Sequence, residues 1–243
     1  MSHPVFLVDE LPTADTTVLA GSEGRHAARV RRMEPGQQVV LSDGAGGLAR
    51  CTVNSVADAT LALVVHERSY VERGEPRLVV VQALAKGERG ELAVELMTEL
   101  GVDEVIPWSA GRSIAQWHSE RGEKARRRWV STAREAAKQS RRAWLPLIAP
   151  LHGTAAVAAR VGAASAALVL DHGAALPLSE AQLPAKGEVV LVVGPEGGLT
   201  PDELAAFTAA GGVPCRLGPT VLRTSTAGAA ALAALSVALG RWL

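Results

Sequence analysis

Val189 to Val193 are five consecutive apolar residues without alternation, the pattern of a strand buried on both faces of a parallel sheet. Leu78 to Leu84, Glu104 to Trp108, Leu145 to Ile148 and Ala166 to Leu170 are further short apolar runs that predict strands. Between them the spacing changes. From about Glu88, Leu92, Leu96 and Leu100 recur every fourth residue with Ala93 and Met97 beside them, predicting a helix with one apolar stripe that Gly101 ends. A second helix is expected from about Gly122 to Ser140, with Trp129, Ala133, Ala136 and Ala137 on its buried side, and a third from Thr154 to Val161. Thr200-Pro201-Asp202-Glu203 reads as a capping box with proline at the first helical position. The alanine-rich run from Thr224 to Leu239 has high helix propensity. Its small residues, Gly228 among them, suit a helix interface between subunits or backbone approach to a ligand. Strand, helix, strand in this order predicts right-handed parallel crossovers and an α/β class.

The first 70 residues read differently. Val5 to Val8, Gln38 to Leu41, Leu48 to Val53 and Leu61 to Val65 are short strand candidates separated by Gly, Asp and Asn. Gly24 to Arg32 interrupts them as a short helix. Gly74 and Pro76 lie among charges, so a domain boundary is expected there, with residues 1–72 before it and 76–243 after it.

Gly194-Pro195-Glu196-Gly197-Gly198 begins where the Val189 strand should end. Carboxyl ends of strands in open α/β sheets are where ligands bind. The loop lacks the Gly-Lys-Ser/Thr of a phosphate-binding loop and the Gly-x-Gly-x-x-Gly of a dinucleotide site, and Glu196 without a nearby lysine makes it a poor phosphate cradle. A ligand with a hydrogen-bonding base and a cationic centre suits it better. Arg112 follows the Glu104 to Trp108 strand onto the same edge; a lone loop arginine is otherwise an ordinary surface residue. His172, at the end of another strand, is an isolated histidine, a setting more often structural than catalytic.

With 48% hydrophobic residues and no charge-free apolar stretch of spanning length, no membrane segment is expected. Met1 to Leu11 lacks the basic region and apolar core of a signal peptide, so a reducing cytoplasm is the expected location. Cys51 and Cys215 are far apart and without ligand spacing, so neither disulfide nor metal is expected. Formal net charge is zero, yet Ser119 to Arg142 holds nine basic residues against three acidic ones. Screening confines a charge's reach to roughly 8–10 Å, so that local excess of six is what a polyanion would meet. A solvated surface helix has the same pattern.

Several of these stretches, in order, resemble the ribosomal RNA small subunit methyltransferase E family of the SPOUT superfamily. They are His26-Ala27 with Arg29-Val30, Asp43-Gly44 with Gly46-Gly47, Lys86-Gly87, Glu99-Leu100-Gly101-Val102, Arg112-Ser113, the Gly194 to Gly198 loop, and Leu217-Gly218-Pro219 with Val221 to Thr224. The resemblance implies a SPOUT-type parallel sheet with a C-terminal trefoil knot, plus a small N-terminal PUA-like β-barrel that helps hold RNA. It implies transfer of a methyl group from S-adenosylmethionine to N3 of a uridine in 16S ribosomal RNA, by a homodimer formed through the C-terminal domain. Cofactor contacts would come from Leu170, Gly194, Pro195, Glu196, Gly197, Gly198, Leu217, Gly218, Leu222 and Thr224. Catalytic candidates are Arg112, Arg223 and Glu196, and RNA contacts Arg25, His26, Arg29, Arg32, Arg127, Arg134 and Lys138. Ser225 stands where the family usually has an acidic residue, and the start of the chain lacks an early arginine. Two alternatives remain: a SPOUT methyltransferase with another RNA acceptor, and a non-catalytic RNA-binding module whose glycine loops are only turns.

Overall fold

The computed structural model describes residues 3–242. Two compact units make up the chain, Met1–Arg73 with Ala137–Leu145, and Gly74–Ala136 with Pro146–Leu243.

The first unit is built on a five-stranded sheet in the order β1-β3-β4-β5-β2. Its strands are β1 (Val5–Leu7), β2 (Thr16–Leu19), β3 (Gln38–Ser42), β4 (Gly47–Ala57) and β5 (Thr60–Tyr70). β1 runs parallel to β3 and the other pairings are antiparallel. Alternation along the long β4–β5 hairpin puts Ala49, Cys51, Val53, Leu61 and Leu63 against Phe6 and Leu41 in the core. β2 was not expected from the sequence. Its Thr-Thr-Val-Leu buries only Leu19, and its pairing with Leu61 to Val64 across the sheet holds it. The predicted Gly24 to Arg32 helix is instead a short α1 (Gly21–Arg25) running into a π-helical turn, His26–Val30.

Residues 137–145 complete this unit. Trp144 Nε1 donates to Val71 O at 2.8 Å, its ring meets Tyr70 edge-on at 6.0 Å, and Leu145 N donates to Gly44 O at 2.9 Å. For that reason the strand expected from Leu145 begins only at Leu147.

The second unit has a six-stranded sheet in the order β11-β9-β10-β6-β7-β8, parallel throughout. The strands are β6 (Arg77–Ala83), β7 (Glu104–Trp108), β8 (Leu147–Ile148), β9 (Ala166–Leu170), β10 (Glu188–Val193) and β11 (Val213–Cys215). Five helices cover it: α2 (Arg89–Glu99), α3 (Ser119–Gln139), α4 (Thr154–Ala163), α5 (Pro201–Ala209) and α6 (Thr224–Ala238). Val190 and Val192 join Val157, Val161 and Phe207 in one core layer, while Val189, Leu191 and Val193 join Met97, Trp129 and Leu232 in the other. The continuous apolar run of β10 is thus used on both faces.

α3 buries Trp129, Ala133, Ala136 and Ala137 as expected, and α2 buries the expected Ala93 and Met97; the stripe of α2 is corrected at Leu92, which is exposed, while Val94 and Thr98 are buried. A four-residue step advances 400° around the axis, so three leucines four apart drift off one face. The small residues of α6 pack against α2 within the chain: a Cβ at Gly228 would lie 2.8 Å from Met97 Sδ. At the amino edge of the sheet, Arg77 and Arg160 tie Glu188 of β10 to Glu104 of β7. The hydrogen bond to Glu188, more than any other contact, raises the Arg160 pKa. Ion pairs brace that edge, and the carboxyl edge is left to the loops.

Candidate functional site

Loops at the carboxyl ends of three neighbouring strands, β9, β10 and β11, close around one cavity of about 340 Å³, within the size range of small-molecule sites. Leu170 and His172 enter it after β9. Gly194, Pro195, Glu196 and Gly198 enter after β10, and Leu217, Gly218, Leu222, Arg223 and Thr224 after β11. Nine of the ten residues expected to hold a cofactor therefore share one wall.

Gly197 is the exception. It turns toward Arg112, whose Nη1 donates to Gly197 O and to Leu199 O, both at 3.0 Å. Arg112 thus binds the outer side of the glycine loop and does not border the cavity. Gly198 has φ +70°, and its N–H closes a turn onto Pro195 O at 2.9 Å. Only glycine holds that conformation without strain.

Thr224 is the first residue of α6, buried, and its hydroxyl donates to Gly194 O at 2.8 Å. Gln82 Nε2 donates to the same hydroxyl at 3.0 Å from the fully buried end of β6. Gln82 Oε1 is a buried acceptor with no hydrogen-bond partner among the described residues. Sequence reasoning passed over Gln82. The available signal was that it is the only polar residue in the run Leu78 to Leu84.

Arg223 is exposed at the N-cap of α6 and borders the cavity. Glu196 is exposed on the opposite loop, and its Oε1 accepts from Lys86 N at 3.3 Å. Glu203 carries the predicted capping box and does more than cap. Its Oε2 accepts from Thr200 N at 2.8 Å while Oε1 accepts from Gly111 N at 2.7 Å, fixing the loop that bears Arg112. Cys215 lies under the cavity, fully buried, with its thiol pushed up to about 11 by desolvation. It is protonated at neutral pH and supplies no nucleophile.

The donor set fits a ligand that joins a base to a cationic centre. Main-chain atoms around Gly194 and Gly218 offer hydrogen bonds, Leu170, Leu217 and Leu222 offer apolar walls, and Asp171 and Glu196 offer negative charge.

The expected RNA contacts divide between the units. Arg25, Arg29 and Arg32 are exposed around the π-helical turn of the first, with His26 partly buried edge-on to Phe6. Arg127 is exposed on α3 and Arg134 partly so. Lys138 is a correction: it is buried, and its Nζ lies 3.0 Å from Glu23 Oε1, so its charge is used inside the protein. Ser225, in place of an acidic residue, is buried in the first turn of α6.

Comparison with known proteins agrees with this architecture. Residues 73–236 match the model of an RNA methyltransferase domain, and residues 19–65 that of an RNA methyltransferase PUA domain. A ribosomal RNA small subunit methyltransferase E of Mycobacterium bovis is 48% identical, covering 98% of this chain and 93% of the relative; that of Bacillus subtilis is 32% identical, covering 94% and 91%. A Neisseria gonorrhoeae enzyme of the same name, solved with S-adenosyl methionine bound, superposes with a TM-score of 0.87 at 27% identity over 98% of both chains. A putative methyltransferase from Legionella pneumophila, solved with the same cofactor, gives 0.85 at 27% over 98% of both. With its parallel sheet, its three-loop cavity and near full-length likeness to these proteins, the chain belongs to the ribosomal RNA small subunit methyltransferase E family.

Proposed function

We propose that this protein methylates N3 of a uridine in 16S ribosomal RNA, using S-adenosylmethionine held in the three-loop cavity. The observation that carries the reading is the convergence of Gly194 to Gly198, Leu217 to Thr224 and Leu170 on one cavity at the carboxyl edge of the sheet. When bound there, S-adenosylmethionine supplies an activated methyl group on a sulfonium. The protein's task is then to position the acceptor and manage its proton.

Main-chain groups of Gly194, Gly198 and Gly218 would hold the cofactor's base, and Glu196 or Asp171 would supply negative charge for its sulfonium. Uridine N3 carries a proton and is a poor nucleophile until that proton leaves. As it leaves, negative charge builds on the uracil oxygens, and a guanidinium beside them lowers the barrier. Arg223 borders the cavity and is our candidate for that role. Arg112 contributes by holding the glycine loop through Gly197 and Leu199. Glu196, on the cavity rim, orients the base or accepts its proton. The RNA is held by the first unit, a PUA-like domain expected over residues 1–72 and completed by residues 137–145, through Arg25, His26, Arg29 and Arg32, and by Arg127 and Arg134 of the second unit. The same reading includes a trefoil-knotted C-terminal domain, a homodimer formed through it, and action in the cytoplasm.

The test is methyl transfer from labelled S-adenosylmethionine to small ribosomal subunits lacking the modification, followed by nucleoside analysis. N3-methyluridine is expected. A different methylated nucleoside would replace the acceptor while keeping the enzyme, and no heat of cofactor binding in calorimetry would leave only an RNA-binding module.

A further inference from the structure

The second unit holds a further cavity. It encloses about 1150 Å³ between the β6–α2 loop, the first turns of α2, and the stretch from Ala115 into α3. Two indoles form part of its wall. Trp117 and Trp129 meet edge to face with ring centroids 4.9 Å apart and planes at 76°. Each is seated on a glycine: a Cβ at Gly90 would lie 2.8 Å from Trp129 Cζ2, and one at Gly122 3.0 Å from Trp117 Cβ. Trp129 is 2% exposed. Among the described residues its indole N–H donates to no acceptor, whereas Trp108 Nε1 donates to Thr154 Oγ1 and Trp144 Nε1 to Val71 O. That N–H keeps its access to solvent through the cavity, so an acceptor entering there can take it up.

The surrounding charges are ordered. Arg128 is paired with Glu91 at 3.2 Å, joining α3 to α2. Lys86 and Arg121 are exposed on the rim, and α2 begins at Arg89 without a side-chain cap, its first turn lining the cavity. The lining holds Lys86, Arg89, Arg121 and Arg128 against Glu88, Glu91 and Glu95, an excess of one positive charge that with the helix end favours one added negative charge. The wall beneath suits a flat group with hydrogen-bond acceptors.

Lys86 also locates the cavity. Its backbone N–H donates to Glu196, which borders the three-loop site, so the two cavities adjoin along Lys86 and Glu196.

Resting on the reading that RNA is the substrate, we propose that this cavity takes one unpaired nucleotide of the RNA next to the one that is methylated. Its base lies against Trp117 and accepts from Trp129 Nε1–H, and its phosphate sits between Lys86 and Arg121. A nucleotide drawn out of the strand here would present its neighbour to the adjoining site.

The test uses a single-stranded RNA pentanucleotide carrying one 5-bromouridine. On irradiation with the full-length protein, the adduct should map by mass spectrometry to the peptides holding Trp117 or Trp129. Trp117→Ala should weaken binding of the unmodified pentanucleotide about tenfold, the scale of one base–aromatic stack, and Trp117→Phe should restore most of it. Arg121→Glu, at an exposed position that does not put folding at risk, should weaken it as well and flatten its salt dependence by about one phosphate contact. Calorimetric affinity for S-adenosylmethionine should be unchanged in all three variants. An adduct elsewhere, with undiminished pentanucleotide affinity in Trp117→Ala and Arg121→Glu, overturns the proposal. So does a change of oligomeric state in light scattering with unchanged RNA affinity, which would make the cavity a seat for a second copy. Failure of the underlying reading would appear separately, as absence of cofactor heat in the wild-type protein.

Discussion

The Thr224 hydroxyl lies 2.8 Å from the carbonyl oxygen of Gly194 and donates to it, while receiving a hydrogen bond from Gln82 at 3.0 Å. Three segments distant in sequence, the end of β6, the loop after β10 and the start of α6, are thereby locked by one side chain. Each polar group in this chain is buried or partly buried, where an unmade hydrogen bond costs about 1–3 kcal/mol.

Thr224→Val keeps the shape and deletes the hydroxyl, leaving the Gln82 amide and the Gly194 carbonyl without their shared partner. Calorimetry should show S-adenosylmethionine affinity reduced about tenfold or more. Thr224→Ser, which keeps the oxygen, should stay within a few-fold of wild type. Equal affinities for the valine and serine variants would show that the loop does not depend on this contact.

The two arginines should separate kinetically. Arg223→Ala removes a guanidinium beside the cavity and should lower turnover about a hundredfold with little change in cofactor affinity, the behaviour of a group acting mainly on the transition state. Arg112→Ala removes the bond from Nη1 to Gly197 O and Leu199 O. It should weaken cofactor binding and turnover together. Single-turnover rates alongside calorimetry distinguish the two patterns.

Lys138 offers a contrast between structural and RNA-binding charge. Its side chain is 6% exposed and paired with Glu23 at 3.0 Å. Lys138→Ala removes a buried ion-pair partner of Glu23 and should lower stability by about 3 kcal/mol. RNA affinity measured well below the melting temperature should not change. Arg127→Ala, on the exposed side of α3, should do the reverse.

Both cysteines are buried, and desolvation lifts each thiol from 9.0 to about 11. The folded state then holds protons that the unfolded chain releases. Stability is unaffected at neutral pH and falls as pH rises from about 9 toward 11. Urea midpoints measured across that window should decline, and the decline should flatten in a Cys51→Ala, Cys215→Ala double variant compared with its own value at neutral pH.

Much of the catalytic unit was written locally. The unbroken run Val189 to Val193, the Thr200 to Glu203 capping box and the alanine-rich stretch from Thr224 state their own conformations, because burial on two faces, capping and propensity are properties of neighbouring residues. The glycines after β10 marked the turn at the carboxyl edge of the sheet for the same reason. What local pattern does not contain is the partner. Only the fold brings Gln82 to Thr224, turns Arg112 onto the back of the glycine loop, hides Lys138 against Glu23, exposes Leu92, and pairs β2 with a strand more than forty residues away. Each of those outcomes depends on a contact between segments far apart in the chain, and so on packing that exists only after the sheet has formed.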